Sequence, residues 1–96
     1  MTIDGYIEDL EANQKDVRFA LLVRICQEQF GNARMKGSHH IFKTPWPGDP
    51  RINLQEDKGN RGKAKPYQVK QVLAALRKLQ EMRESKAKGE AYHATE

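Results

Sequence analysis

Three of the chain's four prolines stand in one six-residue stretch, Pro45-Trp46-Pro47-Gly48-Asp49-Pro50. Proline fixes φ and removes a backbone donor, so neither a helix nor an interior strand continues through such a stretch. It has to be a loop, and it divides the hydrophobic pattern into two parts that can meet only by packing.

Before the loop the apolar period is helical. Phe19, Leu22, Val23, Cys26 and Phe30 fall on one side of a helical wheel, with Arg24 and Glu28 opposite. Asn13 suits an N-cap and Asp16 suits the first turn, so the spacing predicts a helix from about residue 14 to Phe30, with Gly31 as its C′ residue. Upstream, residues 3–11 carry a short acidic helical pattern whose apolar side is Tyr6, Ile7 and Leu10. At Ala33 the period changes to two. Residues 33–36 and 39–44 read as strands around a tight Gly37-Ser38 turn. Beyond the proline loop, residues 51–55 alternate as a third strand with Ile52 and Leu54 inward. A Gly- and Lys-rich loop covers 56–65, and Pro66 suits the first position of a second helix. Val69, Val72, Leu73, Leu76 and Leu79 share one side of that helix, and the periodicity lapses past about Ser85.

The order is therefore helix, three antiparallel strands, helix, within a domain at residues 15–82. Residues 1–14 read as an acidic N-terminal extension with a short helix, and 83–96 as a frayed tail. Two amphipathic helices can cover one face of a three-stranded sheet and leave the other for a ligand. The expected class is α+β, in the layout of a double-stranded-RNA-binding domain with both helices on one face. With 96 residues and no duplication, one domain is expected. The longest apolar run, residues 19–23, is too short to cross a bilayer. No signal-peptide pattern opens the chain, and the lone Cys26 has no internal disulfide partner. A cytoplasmic protein without a membrane role is the expectation.

Net charge is +4, from 17 basic and 13 acidic residues, and its placement is uneven. Residues 1–16 hold Asp4, Glu8, Asp9, Glu11 and Asp16 against Lys15 alone. Residues 58–80 hold Lys58, Arg61, Lys63, Lys65, Lys70, Arg77 and Lys78 with no acid. Either this is a solvated lysine face or it attracts a polyanion.

Two of the three histidines are adjacent, just after Gly37-Ser38. Neighbours in a strand point to opposite faces, so only one of His39 and His40 can share the open face. If Phe42 is inward, His39 lies on the open face with Ile41 and Lys43; if Ile41 is inward, the assignment flips. Phe42, the larger group, is the expected core residue. An exposed histidine between Lys36 and Lys43 can take or give a proton near neutrality, because an imidazole has an unperturbed pKa of about 6.5. RNA carries its own nucleophile, the 2′-hydroxyl. A protein need only move that proton while cations stabilise the developing charge on phosphorus. A plain polar strand start is the alternative.

The segment from Lys58 to Pro66 is flexible in composition, basic, and ends at a helix start, which suits phosphate. Lys36, Ser38, Lys43, Lys58, Arg61, Lys63 and Lys65 are thus candidate RNA- and phosphate-binding residues. Trp46 can stack on a base or pin its loop to the sheet edge, and packing is the expected role. Cys26 belongs to the apolar stripe, and His93 suggests nothing. The pattern contains no zinc ligand set, no Walker loop and no dinucleotide fingerprint, so neither metal nor cofactor is expected.

The run from Lys36 to Phe42 (Lys-Gly-Ser-His-His-Ile-Phe), followed by Lys65-Pro66-Tyr67-Gln68-Val69-Lys70-Gln71-Val72-Leu73, resembles the HicA family, the toxin half of HicA–HicB toxin–antitoxin pairs. The resemblance covers about residues 15–80. It implies a double-stranded-RNA-binding-like fold, ribosome-independent mRNA cleavage and inhibition by a HicB antitoxin. The family's catalytic histidine follows the Gly-Ser pair, which corresponds to His39. The proline loop around Trp46, the acidic N-terminus and the extended tail depart from the shortest members. Two other classes stand beside this one: a non-catalytic RNA-binding module using the same basic face, and an interaction protein whose basic face matches an acidic partner.

Overall fold

A computed structural model describes the backbone of residues 2–95 and the side chains of residues 2–86. The elements are α1 (Ile3–Ala12), α2 (Phe19–Phe30), β1 (Arg34–Lys36), β2 (His39–Phe42), β3 (Ile52–Leu54) and α3 (Pro66–Thr95). The strands form one antiparallel sheet in the order β1-β2-β3. The class is α+β.

Helix α1 starts at Thr2, whose hydroxyl accepts a hydrogen bond from the Gly5 N–H at 3.2 Å. Asn13 ends this helix rather than starting the next one. The expected start of α2 near residue 14 is thus corrected to Phe19. The physical reason lies in the backbone groups just before it. The Val17 carbonyl accepts from Ala64 N–H at 2.8 Å, and Phe19 N–H donates to the Gly62 carbonyl at 2.9 Å. Val17 is also buried. These pairings hold residues 17–18 extended against the 62–64 segment, so the helical ladder can open only at Phe19. Gly31 closes α2 with φ 91°, and its N–H bonds the Gln27 carbonyl at 3.0 Å. A left-handed φ of this kind favours glycine.

Leu22, Ile25 and Cys26 are the fully buried residues of α2, with Phe19, Val23 and Phe30 at the margin of the core. Ile25, absent from the expected stripe, also lies inside, on a helix that packs against both α3 and β2.

The β1–β2 hairpin turns at Gly37-Ser38, where Gly37 has φ 59°. A positive φ at the first central position of a two-residue hairpin loop requires glycine in practice. The register places Lys36 opposite His39 and Arg34 opposite Ile41. On the other side His40 faces Leu54 and Phe42 faces Ile52. Phe42, Ile52 and Leu54 are buried beneath α2 and α3. Phe42 is therefore the inward residue of β2, and Ile41 lies on the opposite face with His39. Burying a side chain of this size contributes on the order of 1.5–3 kcal/mol.

Helix α1 packs against the rest of the chain. Tyr6, Ile7 and Leu10 of α1 join the core beside α3. Glu11 pairs with Arg77, Asp4 accepts from Gln80, and the Tyr6 hydroxyl donates to Glu28. The Glu28 carboxylate on that hydroxyl raises the Tyr6 pKa. Trp46 packs, as expected: it is buried, sits edge-on to Phe30 at 5.9 Å, and donates its indole N–H to the Pro50 carbonyl at 2.9 Å. The expectation of a tail over 83–96 falls largely outside the described side chains; the backbone is helical to Thr95.

Candidate functional site

Alternation along the strands decides which side chains meet on the face away from α2 and α3. Lys36 and Arg34 of β1, His39 and Ile41 of β2, and Asn53 of β3 share it through the register. Arg51, Gln55 and Lys43 continue the same parity just beyond the strand ends. Arg34, Lys36, Lys43, Arg51 and Asn53 are exposed, and His39 and Ile41 are half-buried. This face presents four cations around one histidine.

His39 is held by its neighbour strand. Its Nδ1 lies 2.9 Å from the side-chain oxygen of Asn53. An amide oxygen only accepts, so Nδ1 donates in this hydrogen bond, and in the neutral imidazole the lone pair then sits on Nε2. That is the orientation a general base needs.

A cleft of about 240 Å³ opens beside His39. Asn53 and Gln55 of the β3 segment line one side, and Tyr67, Gln68 and Gln71 of α3 line the other. Asp49 and Arg51, from the end of the proline loop onward, complete it. Gln68 builds this wall: its buried side-chain oxygen accepts from Gln55 N–H at 3.1 Å, and its nitrogen donates to the Tyr67 hydroxyl at 3.3 Å. The side chain so replaces the strand partner that Gln55 lacks at the sheet edge. A second groove of about 490 Å³ crosses the same face and is lined by Arg34, Ile41, Lys43, Arg51 and Asn53 among others. The two depressions share Arg51 and Asn53.

The other expected RNA-binding residues do not converge here. Ser38 accepts a hydrogen bond from the Gln55 amide at 2.8 Å and lines a cleft at the hairpin end with Lys58, His40, Phe19 and Met35. That cleft lies on the helix side of the sheet, so Lys58 accompanies His40 and not His39. His40 packs edge-on to Phe19 with ring centroids 5.2 Å apart. Lys63 is paired with Asp16, and this partner lowers the Asp16 pKa. Lys65 sits half-buried at the start of α3, where its carbonyl accepts from Gln68 and Val69 N–H at 2.9 and 3.1 Å. Arg61 is exposed. The 56–65 loop is also less free than its composition implies, because Asp57 N–H bonds the Lys63 carbonyl at 3.2 Å and Ala64 is tied to Val17. Arg77 is paired with Glu11, and Lys78 lies 5.2 Å from the Trp46 ring centre. Three of the seven basic residues at 58–80 are thus matched internally, Lys63 and Arg77 by acids of the N-terminal segment.

Arg34, Arg51, Asn53, Gln55, Tyr67, Gln68 and Gln71 do not stand out as site residues in the sequence. A signal for Arg51, Asn53 and Gln55 is present there: they alternate with the inward Ile52 and Leu54. Tyr67 and Gln68 stand in the run that carries the family resemblance, but nothing local gives them a site role, which depends on α3 running along the free edge of β3.

Among the described residues, no three His, Cys, Asp or Glu side chains converge as a metal site, and no helix is long and apolar enough to cross a membrane. Compared with protein-family models, curated proteins and solved structures, the chain matches none.

Proposed function

We propose that this chain is a HicA-type toxin with a double-stranded-RNA-binding-like fold, a cytoplasmic endoribonuclease that cuts mRNA without a metal or cofactor. The observation that carries the reading is His39: its Nδ1 is held by Asn53 at 2.9 Å, and it stands on a sheet face flanked by Arg34, Lys36, Lys43 and Arg51. His39 Nε2 takes the proton of a ribose 2′-hydroxyl, and the 2′-oxygen attacks the adjacent phosphorus. The bond from phosphorus to the 5′-oxygen breaks, and that oxygen leaves as a hydroxyl with a proton drawn from solvent, to which His39 returns the one it took. The products are a 2′,3′-cyclic phosphate and a 5′-hydroxyl. Neighbouring cations offset the charge that builds on the phosphoryl oxygens. Lys36, Lys43, Arg34 and Arg51 share the His39 face and are the nearest candidates. Lys58, Arg61, Lys63, Lys65 and the Ser38 hydroxyl, which lie away from His39, are proposed to meet phosphates further along the RNA rather than the reacting one.

The test is incubation of the purified protein with RNA in EDTA, followed by analysis of the ends. Cleavage with cyclic phosphate termini supports the reading. Cleavage that needs added magnesium removes the metal-free mechanism. RNA that is shifted but intact makes the protein a binding module. A HicB-type antitoxin is the proposed partner; an acidic surface covering His39 would protect Lys36 and Lys43 from chemical modification in the complex.

A further inference from the structure

The cleft beside His39 has a composition unlike a phosphate site. Four carboxamides line it, from Asn53, Gln55, Gln68 and Gln71, together with one phenol, Tyr67. Its one cation, Arg51, is accompanied by the Asp49 carboxylate. Carboxamides donate and accept with equal facility and carry no charge. They suit a neutral, planar group that alternates donors and acceptors along its edge.

Tyr67 supplies the complementary surface. It is 57 % exposed, although it is a large aromatic on a helix whose neighbours Val69, Val72 and Leu73 are buried. Gln71 is four residues further along α3, so the two lie on the same side of the helix. The buried Gln68 amide holds the Tyr67 hydroxyl. An exposed ring fixed at its far end is a stacking platform already ordered before a ligand arrives. Asn53 meets His39 through its oxygen, so that bond leaves its N–H groups available to a ligand. The cleft, about 240 Å³, is smaller than the roughly 300 Å³ at which drug-sized ligands are enclosed. It accommodates one ring system, not a stack of several.

We infer that this cleft is a nucleobase pocket: one unpaired base stacks on Tyr67, its edge is read by Gln71 and Asn53, and its backbone is thereby set against His39. This rests on the nuclease reading for its consequence, though not for the binding itself. A base within a duplex offers neither an open face nor a free Watson–Crick edge, so the ligand is single-stranded. The pocket therefore selects an unpaired segment on a fold whose layout suggests a duplex binder, and it makes the cut depend on base identity. Arg51 lies in both the cleft and the cationic groove, so the strand leaving the pocket meets a cation at once.

The experiment uses isotope-labelled full-length protein and a set of 2′-deoxy tetranucleotides, which lack the nucleophile and stay intact. NMR follows the ring signals of Tyr67 and the side-chain amides of Gln71 and Asn53. Ring-current shifts that differ among the four bases are expected, with no such shifts from a self-complementary duplex. Tyr67→Ala should weaken binding roughly tenfold or more, and Tyr67→Phe should lose less, since the stacking face remains and only its hydroxyl anchor is gone. In parallel, cleavage-site mapping on mixed-sequence RNA should show the wild-type base preference flattened by Tyr67→Ala and Gln71→Ala. Both positions are exposed, so the variants keep the fold. If RNA is cut but these signals stay unmoved and the cut pattern is unchanged in both variants, the pocket is refuted and the nuclease reading stands. If the signals shift but no RNA is cut, the nuclease reading fails and the pocket stands. Equal shifts from the duplex would also overturn the inference.

Discussion

The imidazole of His39 and the carboxamide of Asn53, diagonal to each other on adjacent strands, are joined through Nδ1 and Oδ1 at 2.9 Å. A hydrogen bond of this kind fixes ring orientation and tautomer together. His39→Ala should therefore abolish cleavage, a fall of roughly 10² to 10⁴ in rate, while stability changes by less than about 1 kcal/mol. Asn53→Ala should cause a smaller fall in kcat, since the base remains but its ring is released. Asn53→Asp should move the acid limb of the pH–rate profile upward, because a carboxylate at Nδ1 favours the charged imidazole. An Asn53→Asp profile that overlays the wild type would remove Asn53 from the mechanism.

His40 is the control. It lies on the helix side of β2, edge-on to Phe19 at 5.2 Å. His40→Ala should lower stability by about 1 kcal/mol by removing this aromatic pairing, and it should leave the chemical step intact. Denaturant unfolding and single-turnover cleavage measure the two effects separately. An inactive, fully stable His40→Ala protein would exchange the roles of the two histidines.

The elements were largely legible because they rest on local periodicity. The alternation of Ile52 and Leu54, the Gly37 turn and the stripe from Val69 to Leu79 need no tertiary information. The start of α2 was not legible, because Asn13 and Asp16 make a good local cap. What overrides that cap is a pairing of residues 17–19 with 62–64, far off in sequence. The same applies to the basic loop. Composition marks Lys58, Lys63 and Lys65 as one patch, but Lys63 meets Asp16 and Lys58 turns toward His40. The face parity of His39 followed from the size of Phe42, whereas the wall formed by Tyr67 and Gln68 exists only because α3 runs along the edge of β3.

Cys26 provides a test of the core by pH. Burial among apolar side chains pushes its thiol up to about 12 from an ordinary value of 9.0. Its folded pKa is thus above its unfolded one. The stability is fully present below pH 9 and is lost as pH rises toward 12, because the unfolded chain ionises first. At about pH 10 the decrease amounts to about 1.4 kcal/mol relative to about pH 8. Unfolding midpoints across roughly pH 8–10.5 should fall more steeply for the wild type than for Cys26→Ala. Parallel curves would mean that the thiol is open to solvent. Alkylation of the native protein should be slow over the same range.

The final prediction separates the two cationic regions by salt. Each phosphate of a single strand that no longer meets a cation should flatten the slope of log K against log [salt] by about 0.7. Lys36 and Lys43 are exposed and share the open face with His39, while Lys63 is paired with Asp16 and Lys65 sits half-buried at the start of α3. Lys36→Ala with Lys43→Ala should therefore flatten the slope by about 1.4 and weaken binding to all sequences alike. Lys63→Ala with Lys65→Ala should flatten it less, since Lys63 must first leave an ion pair to serve a phosphate. The 63/65 variant should also be somewhat less stable at neutral pH. Asp16, whose pKa is lowered mainly by its hydrogen bond to Lys63, contributes stability above its unfolded pKa, and this is lost as pH falls through the folded value. The difference between wild type and the 63/65 variant should accordingly vanish in acid. Equal slope changes in the two double variants would place the RNA backbone over the 58–65 loop as much as over the sheet.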